Sequence, residues 1–322
     1  MRAAIYRRTG DSGVLSVEEM DTPDPGPGEV RVRIVCSGVN PTDWKVRSGA
    51  TGGPPDGFQV PHHDGAGVID AIGEGVRDRH VGQRVWTFLA AFESRWGTAA
   101  ERAVLPSERT RPLPEGVADE LGASLGVPAV TAAHCLGGDP AALAGTTVLV
   151  AGGAGAVGHY AIELAKFAGA TVIATASSEE KRDLARAAGA DLVIDYRDPL
   201  AAEQVRASVP AVDRVVEVAL GANLALDLAV SRPGAEIVTY ASEANDPTLP
   251  TRGLMGANAI LRFVLLYGVP GHELAAAVGL VERALESGAL SLLPVHRFSL
   301  DDIAAAQDAV ARGAVGKVLV VP

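Results

Sequence analysis

The chain has 322 residues and a mass of 33.0 kDa, which is more than one ordinary hydrophobic core and predicts two domains. Hydrophobic residues make up 48% and charged residues 21%, a globular profile that excludes disorder and coiled coil. The net charge of −11 argues against nucleic-acid binding through a basic surface, and two cysteines, Cys36 and Cys135, cannot form a disulfide framework or a four-cysteine zinc site.

The N-terminal residues contain no apolar run of signal-peptide length. No stretch elsewhere approaches the roughly 20 apolar residues that are needed to span a bilayer. We therefore expect a soluble cytoplasmic protein whose partners include neither membrane nor nucleic acid.

The first 120 residues are rich in predicted β-strands. Residues 31–36 alternate polar and apolar side chains, the pattern of a half-buried strand. Residues 66–73 and 83–88 are further short strands, separated by turn signals such as Gly73-Glu-Gly. The segment therefore predicts a partly open β-barrel.

From about residue 122, strands alternate with helices. The predicted strands are 147–151, 171–176, 191–195, 213–218 and 236–240, with helices over about 156–168 and 179–188. Alternating βα units predict a doubly wound parallel sheet. After residue 265 a helix over about 272–287, a short strand, a helix over 301–311 and a strand at 317–321 are predicted to complete the first domain.

A glycine-rich turn joins the first of these strands to its helix. Gly153, Gly155 and Gly158 fit the pattern G-x-G-x-x-G between a buried strand and an amphipathic helix. Glycines let the backbone approach a pyrophosphate, and the helix N-terminus supplies N–H donors and a positive dipole end. We interpret the turn as a dinucleotide-binding loop; a tight turn without a ligand is the alternative.

The end of the second strand bears on cofactor choice. NAD-binding folds usually carry an acidic residue there, which accepts from the ribose 2′-hydroxyl. Here Ser177 and Ser178 follow Ala174-Thr-Ala, and Lys181 lies just beyond. Hydroxyls, a helix N-terminus and a lysine would attract a 2′-phosphate, which favours NADPH. Alternatively, Ser177 with Glu180 is only a capping box and Lys181 a solvated side chain.

Several segments in order resemble the zinc-independent quinone oxidoreductases of the medium-chain dehydrogenase/reductase superfamily, in particular the zeta-crystallin branch. Gly38-Val-Asn-Pro-Thr-Asp-Trp-Lys-Val-Arg-Ser-Gly is similar to the family's G-V-N-P-x-[DE]-x-x-x-R-x-G. Pro61-His-His-Asp-Gly-Ala-Gly-Val matches P-G-x-D-x-A-G-V except at His62 and Gly65. Gly126-Val-Pro-Ala-Val-Thr-Ala-Ala and Gly316-Lys-Val-Leu-Val match two further segments.

The resemblance implies an α/β protein with a GroES-like barrel domain and an inserted Rossmann domain. We expect residues 1–122 and 266–322 to form the GroES-like catalytic domain, and residues 123–265 the Rossmann NADP-binding domain. Family members are commonly dimers or tetramers, often joined through Rossmann edge strands. A homodimer is therefore expected, with a homotetramer as the alternative.

The cofactor residues implied by the resemblance follow the strand ends. They are Ala154, Gly155, Ala156 and Val157 at the pyrophosphate, Ser177, Lys181 and Tyr196 at the 2′-phosphate and adenosine, Asn223, Tyr240, Ala241 and Ser242 along the cofactor, and the backbone of Phe263, Val264 and Leu265 at the nicotinamide amide. Asn40, Lys45 and Thr131 would lie near the nicotinamide and pyrophosphate, with Lys317 closing that end. Each could instead serve an ordinary turn, surface or packing role.

No metal site is expected. Zinc alcohol dehydrogenases of this superfamily use two cysteines and a histidine, and Asn40 and about Val127 stand where the cysteines would be. His63 and Asp64 remain, whereas catalytic zinc needs three protein ligands. The adjacent His62 departs from the family glycine. For this histidine pair, a buried, hydrogen-bonded histidine beside Asp64 competes with a weak metal site or a proton donor.

Without a Lewis acid, reduction needs an easily reduced acceptor such as a quinone or activated enone. Asn40 or Lys45 could donate a hydrogen bond to the developing oxyanion, and water or His63 could deliver the proton. Clustered aromatic side chains predict a flat hydrophobic pocket or, equally, the barrel core. They are Trp44, Trp86, Phe88, Phe92 and Trp96.

The leading hypothesis is therefore NADPH-dependent reduction of quinones or related activated carbonyl acceptors. One alternative is an enone or enoyl-thioester reductase on the same scaffold. A second alternative, of a different class, is an NADPH-binding sensor or structural protein without turnover.

Overall fold

The computed structural model describes residues 1–53, 56–242 and 245–322. Over these ranges the chain forms two compact units. The first combines Met1–Val127 with Pro294–Pro322, and the second is Pro128–Leu293. The glycine-rich turn lies wholly in the second unit.

The first unit contains a two-stranded antiparallel hairpin and a seven-stranded sheet. The helix α2 begins in this unit and ends in the second. In chain order the elements are β1 (Arg2–Ile5), β2 (Ser16–Glu19), β3 (Glu29–Val39), α1 (Pro41–Ser48), β4 (Asp64–Ile72), β5 (Arg84–Thr87), β6 (Arg102–Pro106), β7 (Thr110–Pro112) and α2 (Asp119–Cys135).

The second unit is built on a six-stranded sheet in which every described strand pair is parallel. Its further elements are β8 (Thr147–Val150), α3 (Ala156–Phe167), β9 (Thr171–Thr175), α4 (Glu179–Ala187), β10 (Leu192–Ile194), α5 (Ala201–Ser208), β11 (Val212–Glu217), α6 (Leu220–Val230), β12 (Ser231–Thr239), α7 (Thr251–Ala257), β13 (Ile260–Phe263) and α8 (Gly271–Glu286). The strand order β10-β9-β8-β11-β12-β13 reverses direction between β8 and β11, where doubly wound sheets bind their ligands.

The chain then returns to the first unit through β14 (Val295–Ser299), α9 (Ile303–Ala311) and β15 (Lys317–Val321). β15 pairs antiparallel with β3, so both chain ends contribute to one sheet, in the order β14-β15-β3-β4-β5-β7. β3 also pairs with β6, and its register with β4 shifts at two points. The predicted fold class, a GroES-like barrel with a Rossmann sheet, is confirmed.

The unit boundaries differ from the predicted ones. The second unit runs to Leu293, whereas the sequence predicted its end at residue 265. The reason is α8, which buries Ala277, Leu280 and Val281 and packs against α3 as part of the helical layer on the parallel sheet. The earlier boundary falls after Val127, inside α2, rather than at residue 122.

The pattern of buried side chains differs between the parallel and the antiparallel sheet. β8 is buried at all four positions because helices cover both faces of a parallel sheet. In β3, Val30, Val32 and Ile34 are buried while Arg31 and Arg33 point outward, as the alternating pattern predicted. Among the described helices, none combines the length and apolarity needed to cross a membrane.

Candidate active site

The glycine-rich turn presents an uncapped helix N-terminus. Gly155 is the N-cap of α3, makes no side-chain capping bond, and is followed by no acidic residue in the first turn. Gly152 takes the left-handed conformation (φ 66°), and a Cβ on Gly158 would lie 2.3 Å from the Gly152 carbonyl oxygen. The first N–H groups of the helix therefore suit a phosphate, and only glycine fits where the turn meets the helix.

Residues 176–178, directly after β9, carry no acid, and Glu179 and Glu180 follow in the first turn of α4. Ser178, rather than Ser177, is the N-cap of α4, and its hydroxyl accepts from the Lys181 N–H at 3.3 Å. Over the described ranges, the Ser177 hydroxyl and the Lys181 ammonium make no hydrogen bond or ion pair. Both groups are thus available to a ligand, and the capping role considered for Ser177 belongs to its neighbour.

Arg197, which the sequence reasoning missed, lies beside this strand end. Its Nη2 donates to the Ser177 carbonyl oxygen, and its guanidinium lies 5.9 Å from the ring centroid of Tyr196, a 41% exposed side chain. Its Nε and Nη2 also donate to Asp195 at 3.0 and 2.8 Å, which lowers the pKa of that carboxyl. An arginine directly after Tyr196 was the available signal, because arginines commonly accommodate a 2′-phosphate.

Glu217, at the end of β11, organises residues predicted to line the cofactor. Its Oε1 accepts from Asn223 Nδ2 at 2.9 Å, and its carbonyl oxygen accepts from the Tyr240 N–H at 3.2 Å. Burial raises the pKa of the Tyr240 hydroxyl. Ala241 is half-buried and Ser242 is exposed. The Asn223 side chain is therefore directed at Glu217.

The residues predicted at the nicotinamide amide follow the last strand. Val264 donates its N–H to the Thr239 carbonyl oxygen at 2.8 Å. The side chains of Phe263 and Leu265 are 66% and 69% exposed. Thr131 is buried within α2. These positions stay predictions for cofactor contact.

A buried polar cluster in the first unit gathers Asn40, Asp64 and Lys317. Asn40 Nδ2 donates to Asp64 Oδ2 at 2.6 Å, and Lys317 Nζ donates to Asn40 Oδ1 at 2.8 Å and lies 3.7 Å from Asp64 Oδ2. Asp64 Oδ1 accepts from the Val127 N–H at 2.8 Å. Burial lowers the pKa of Lys317 and raises that of Asp64, and their mutual attraction opposes both shifts. The Lys317 ammonium is thus engaged inside the unit.

The other two predicted catalytic residues, Lys45 and His63, are not members of this hydrogen-bonded cluster. Lys45, on α1, is half-buried and lies 6.0 Å from the Trp44 ring centroid. Within the described residues its ammonium has no ion pair or side-chain hydrogen bond. His63 is buried, which lowers its pKa to about 3 and keeps the imidazole neutral. A neutral imidazole is a poor acid at neutral pH, which disfavours His63 as proton donor.

The aromatic side chains are not gathered at one surface. Trp86 is fully buried in β5, with its ring centroid 5.8 Å from that of the buried Phe88, so it lines no open surface. Trp44 and Phe92 are half-buried. Trp96, also half-buried, packs on the hydrophobic core of the first unit. The barrel-core alternative therefore describes Trp86 and Phe88.

Two family models match the chain, the alcohol dehydrogenase GroES-like domain over residues 26–115 and the zinc-binding dehydrogenase over residues 156–283. A 2-haloacrylate reductase from Burkholderia sp is 30% identical, with 100% of this chain and 99% of the relative covered. The quinone oxidoreductase of Rattus norvegicus is 28% identical, with 99% and 97% covered. A mycobacterial protein solved in complex with NADPH is 29% identical, with both chains fully covered and a TM-score of 0.85.

This chain belongs to the medium-chain dehydrogenase/reductase superfamily. Within it, the quinone oxidoreductase relatives place the chain in the zinc-independent quinone oxidoreductase branch. The family recognised from sequence motifs is therefore confirmed, and so is its class, the oxidoreductases. This classification disfavours the sensor or structural alternative.

One matching family model is described as a zinc-binding dehydrogenase, and zinc in such a site needs three protein ligands. An amide (Asn40) and an aliphatic side chain (Val127) stand at the positions of the two cysteine ligands, and the Asn40 amide is already bonded to Asp64 and Lys317. Across the described ranges, no group of three His, Cys, Asp or Glu side chains could hold a metal ion. The residues present do not fit a catalytic zinc.

A buried carboxyl pair lies next to the strand ends of the second unit. Glu217 and Asp227 are both 0% exposed. Burial, and then the negative charge of Glu217, raises the pKa of Asp227 to about 9. Burial raises the pKa of Glu217 as well, so we expect the pair to retain a proton at neutral pH.

We expect this pair to make stability fall as the pH rises. An acid with a raised folded-state pKa takes up a proton on folding, so its favourable contribution is complete below the unfolded pKa near 3.8 and is lost as the pH rises toward 9. Asp227→Asn should remove a slope of about 1 kcal/mol per pH unit between pH 6 and 9. Urea titrations of both proteins at each pH measure it.

Glu203→Gln is the matched control, since it makes the same carboxyl-to-amide change at an exposed position of α5 and should keep the slope. If the free energy of unfolding changed with pH by the same amount in the wild type and in Asp227→Asn, Asp227 would not be protonated in the folded state.

Proposed function

We propose that this protein catalyses NADPH-dependent reduction of quinones or related activated carbonyl acceptors. The observation that carries the proposal is the segment after β9, in which residues 176–178 carry no acid, Arg197 donates to the Ser177 carbonyl oxygen, and Lys181 follows in α4. The quinone oxidoreductase relatives and the NADPH complex of a mycobacterial neighbour support it.

The residues of the second unit fit the cofactor. The uncapped N–H groups at the start of α3 would hold the pyrophosphate. Ser177, Lys181 and Arg197 would surround the 2′-phosphate, and Tyr196 would pack against the adenosine. NADPH, when bound, supplies the hydride, and the protein contributes orientation and electrostatics.

Hydrogen-bond donors would stabilise the developing oxyanion on the acceptor. Asn40 uses one amide hydrogen on Asp64 and its oxygen on Lys317, whereas the Lys45 ammonium is uncommitted among the described residues. Lys45 is therefore the better-placed donor of the two predicted ones. Water is the proposed source of the proton, because His63 stays neutral.

A second candidate function is reduction of an activated alkene. It is favoured by the 2-haloacrylate reductase, which is 30% identical along the whole chain. Enones and enoyl thioesters are the corresponding substrate classes. Both candidates use the same cofactor residues and differ in the acceptor.

The cofactor proposal predicts a charge effect specific to NADPH. Lys181→Ser and Arg197→Ser should each weaken NADPH binding about tenfold to a hundredfold, because each removes a charge-assisted hydrogen bond to the 2′-phosphate. NADH binding should change little. Fluorescence titration measures both, and Arg252→Ser, at an exposed arginine of α7, is the control. Equal affinity of the wild type for NADH and NADPH would contradict the proposal.

The acceptor proposal predicts turnover of quinones in preference to enones. Steady-state rates should be higher for a quinone series than for an enone and enoyl-thioester series, and a chelator should leave both unchanged. Lys45→Met should lower kcat about tenfold through loss of one oxyanion donor. A preference for enones by orders of magnitude would favour the second candidate, and activity lost on chelation would refute the metal-free mechanism.

The homodimer proposal places the interface at β13. This strand pairs only with β12 in the described part of the chain, and Met255, Ile260 and Phe263 beside or on it are 72%, 54% and 66% exposed. An apolar edge strand favours pairing with another copy. Ile260→Arg should convert the dimer to a monomer in light scattering after gel filtration, with Val81→Arg, at an exposed valine of the first unit, as control. A wild-type monomer would contradict the proposal.

A further inference from the structure

A continuous chain of hydrogen bonds runs through the interior of the first unit and passes through His62. It links α1, α9, β3 and β4 in five steps, and all six residues are at most 3% exposed. The steps are Arg47 Nε to Gln307 Oε1 (2.6 Å), Gln307 Nε2 to His62 Nε2 (3.3 Å), His62 Nδ1 to Ser37 Oγ (2.9 Å), Ser37 Oγ to Thr98 Oγ1 (2.8 Å) and Thr98 Oγ1 to the Asp64 carbonyl oxygen (2.5 Å).

Both ends of this chain impose the same direction of donation. A guanidinium can only donate, so Gln307 accepts through its oxygen and donates through its amide nitrogen to His62 Nε2. A carbonyl can only accept, so Thr98 donates to Asp64 and receives from Ser37. His62 must therefore be neutral, with its proton on Nδ1, and burial lowers its pKa to about 3.

The backbone at His62 explains why a side chain there needs such support. His62 has a φ of 77°, a left-handed conformation that is unfavourable for a non-glycine residue. The family pattern has glycine at this position. The imidazole makes two hydrogen bonds, with Gln307 and with Ser37, and these offset the strain at least in part. A side chain that is bonded to β3 and to α9 thus stands where the family pattern has a flexible glycine.

The chain of hydrogen bonds ends at Asp64, in the segment from His62 to Asp64. This segment belongs to the buried cluster of Asn40, Asp64 and Lys317. Thr98 holds this segment twice, since its N–H donates to the His62 carbonyl oxygen at 3.0 Å and its hydroxyl to the Asp64 carbonyl oxygen. The carboxylate of Asp64 in turn binds the Asn40 amide. Displacement of the segment would therefore move Asp64 and with it Asn40.

We propose that His62 is a positioning residue, whose imidazole locks the segment from His62 to Asp64 and so sets the place of the Asn40 amide. Its catalytic consequence rests on the proposed function, in which the Asn40 cluster lies near the reacting atoms. Its structural consequence, the order of the Asn40 amide, does not.

Three variants separate strain from hydrogen bonding. His62→Gly removes the strain and the hydrogen bonds, His62→Ala removes only the hydrogen bonds, and Ser37→Ala breaks the chain one step away without touching the histidine. His80→Ala, at an exposed histidine of the same unit, is the control. We expect His62→Ala to be less stable than His62→Gly in urea titration, because alanine retains the left-handed strain.

Two readouts test positioning itself. In protein with ¹⁵N-labelled histidine and asparagine side chains, the wild-type His62 should show the neutral Nδ1–H form from pH 5 to 8. The Asn40 side-chain amide should exchange with solvent at least about tenfold faster in folded His62→Gly and Ser37→Ala than in the wild type or His80→Ala. In turnover with NADPH and a quinone, kcat should fall about tenfold or more while NADPH affinity changes by less than about twofold.

Failure of the positioning proposal and failure of the proposed function give different results. Unchanged Asn40 exchange in folded His62→Gly, or a His62 proton on Nε2, overturns the proposal whether or not the enzyme turns over quinones. Faster Asn40 exchange with an unchanged kcat overturns the catalytic consequence. A wild type without quinone or enone turnover refutes the proposed function and leaves the exchange test of positioning standing.

Discussion

The buried Asp64 carboxylate is the interaction on which the first unit depends. It binds the Asn40 amide after β3, the Lys317 ammonium at the start of β15 and the Val127 N–H in α2. A buried carboxylate is tolerated only when its charge and lone pairs are matched, so these segments must meet at one point. A Cβ on Gly126 would lie 2.1 Å from Asp64 Oδ1, so that position must be glycine.

The need to match the buried Asp64 carboxylate also determines which hydrogen-bond donors of the cluster remain free. Asn40 and Lys317 bind each other as well as Asp64, so their donors are used internally and their places are rigid. Lys45, on α1, keeps an ammonium without an ion pair or side-chain hydrogen bond within the described residues. A reductase that does not rely on a metal needs such rigid dipoles and one free donor rather than an acid–base pair. The geometry of the first unit is consistent with that division of roles.

In the second unit, the parallel sheet brings residues from distant parts of the sequence to one edge. Parallel strands end at one edge, so the turn after β8, the serines after β9 and Arg197 after β10 are neighbours although they are far apart in sequence. Glu217 at the end of β11 has a further role, because it binds Asn223 and the Tyr240 backbone and interacts with Asp227, a second buried carboxyl group whose pKa is raised. The carboxyl edge of this sheet thus has a buried acid pair, Glu217 and Asp227, beside it, which no local sequence motif predicts.

Local patterns were sufficient for much of the fold. The alternation of residues 31–36 predicted β3, and the apolar run before the glycine turn predicted β8 and α3. The end of the nucleotide unit was predicted too early, because α8 has the amphipathic pattern of any surface helix and only its packing on α3 assigns it. Ser177 and Ser178 are adjacent and chemically equal, so only the backbone shows which one caps α4.

The sequence by itself determined the family, the two sheet types and the glycine turn, because these rest on short-range periodicity and on residues at fixed spacing. Tertiary structure alone decided that Arg197 reaches Ser177, that Trp86 is in the core, and that His62 adopts the conformation of the glycine it replaces. Each of these depends on contacts between segments 20 to 245 residues apart. Such contacts follow from sheet order and burial, which no local pattern contains.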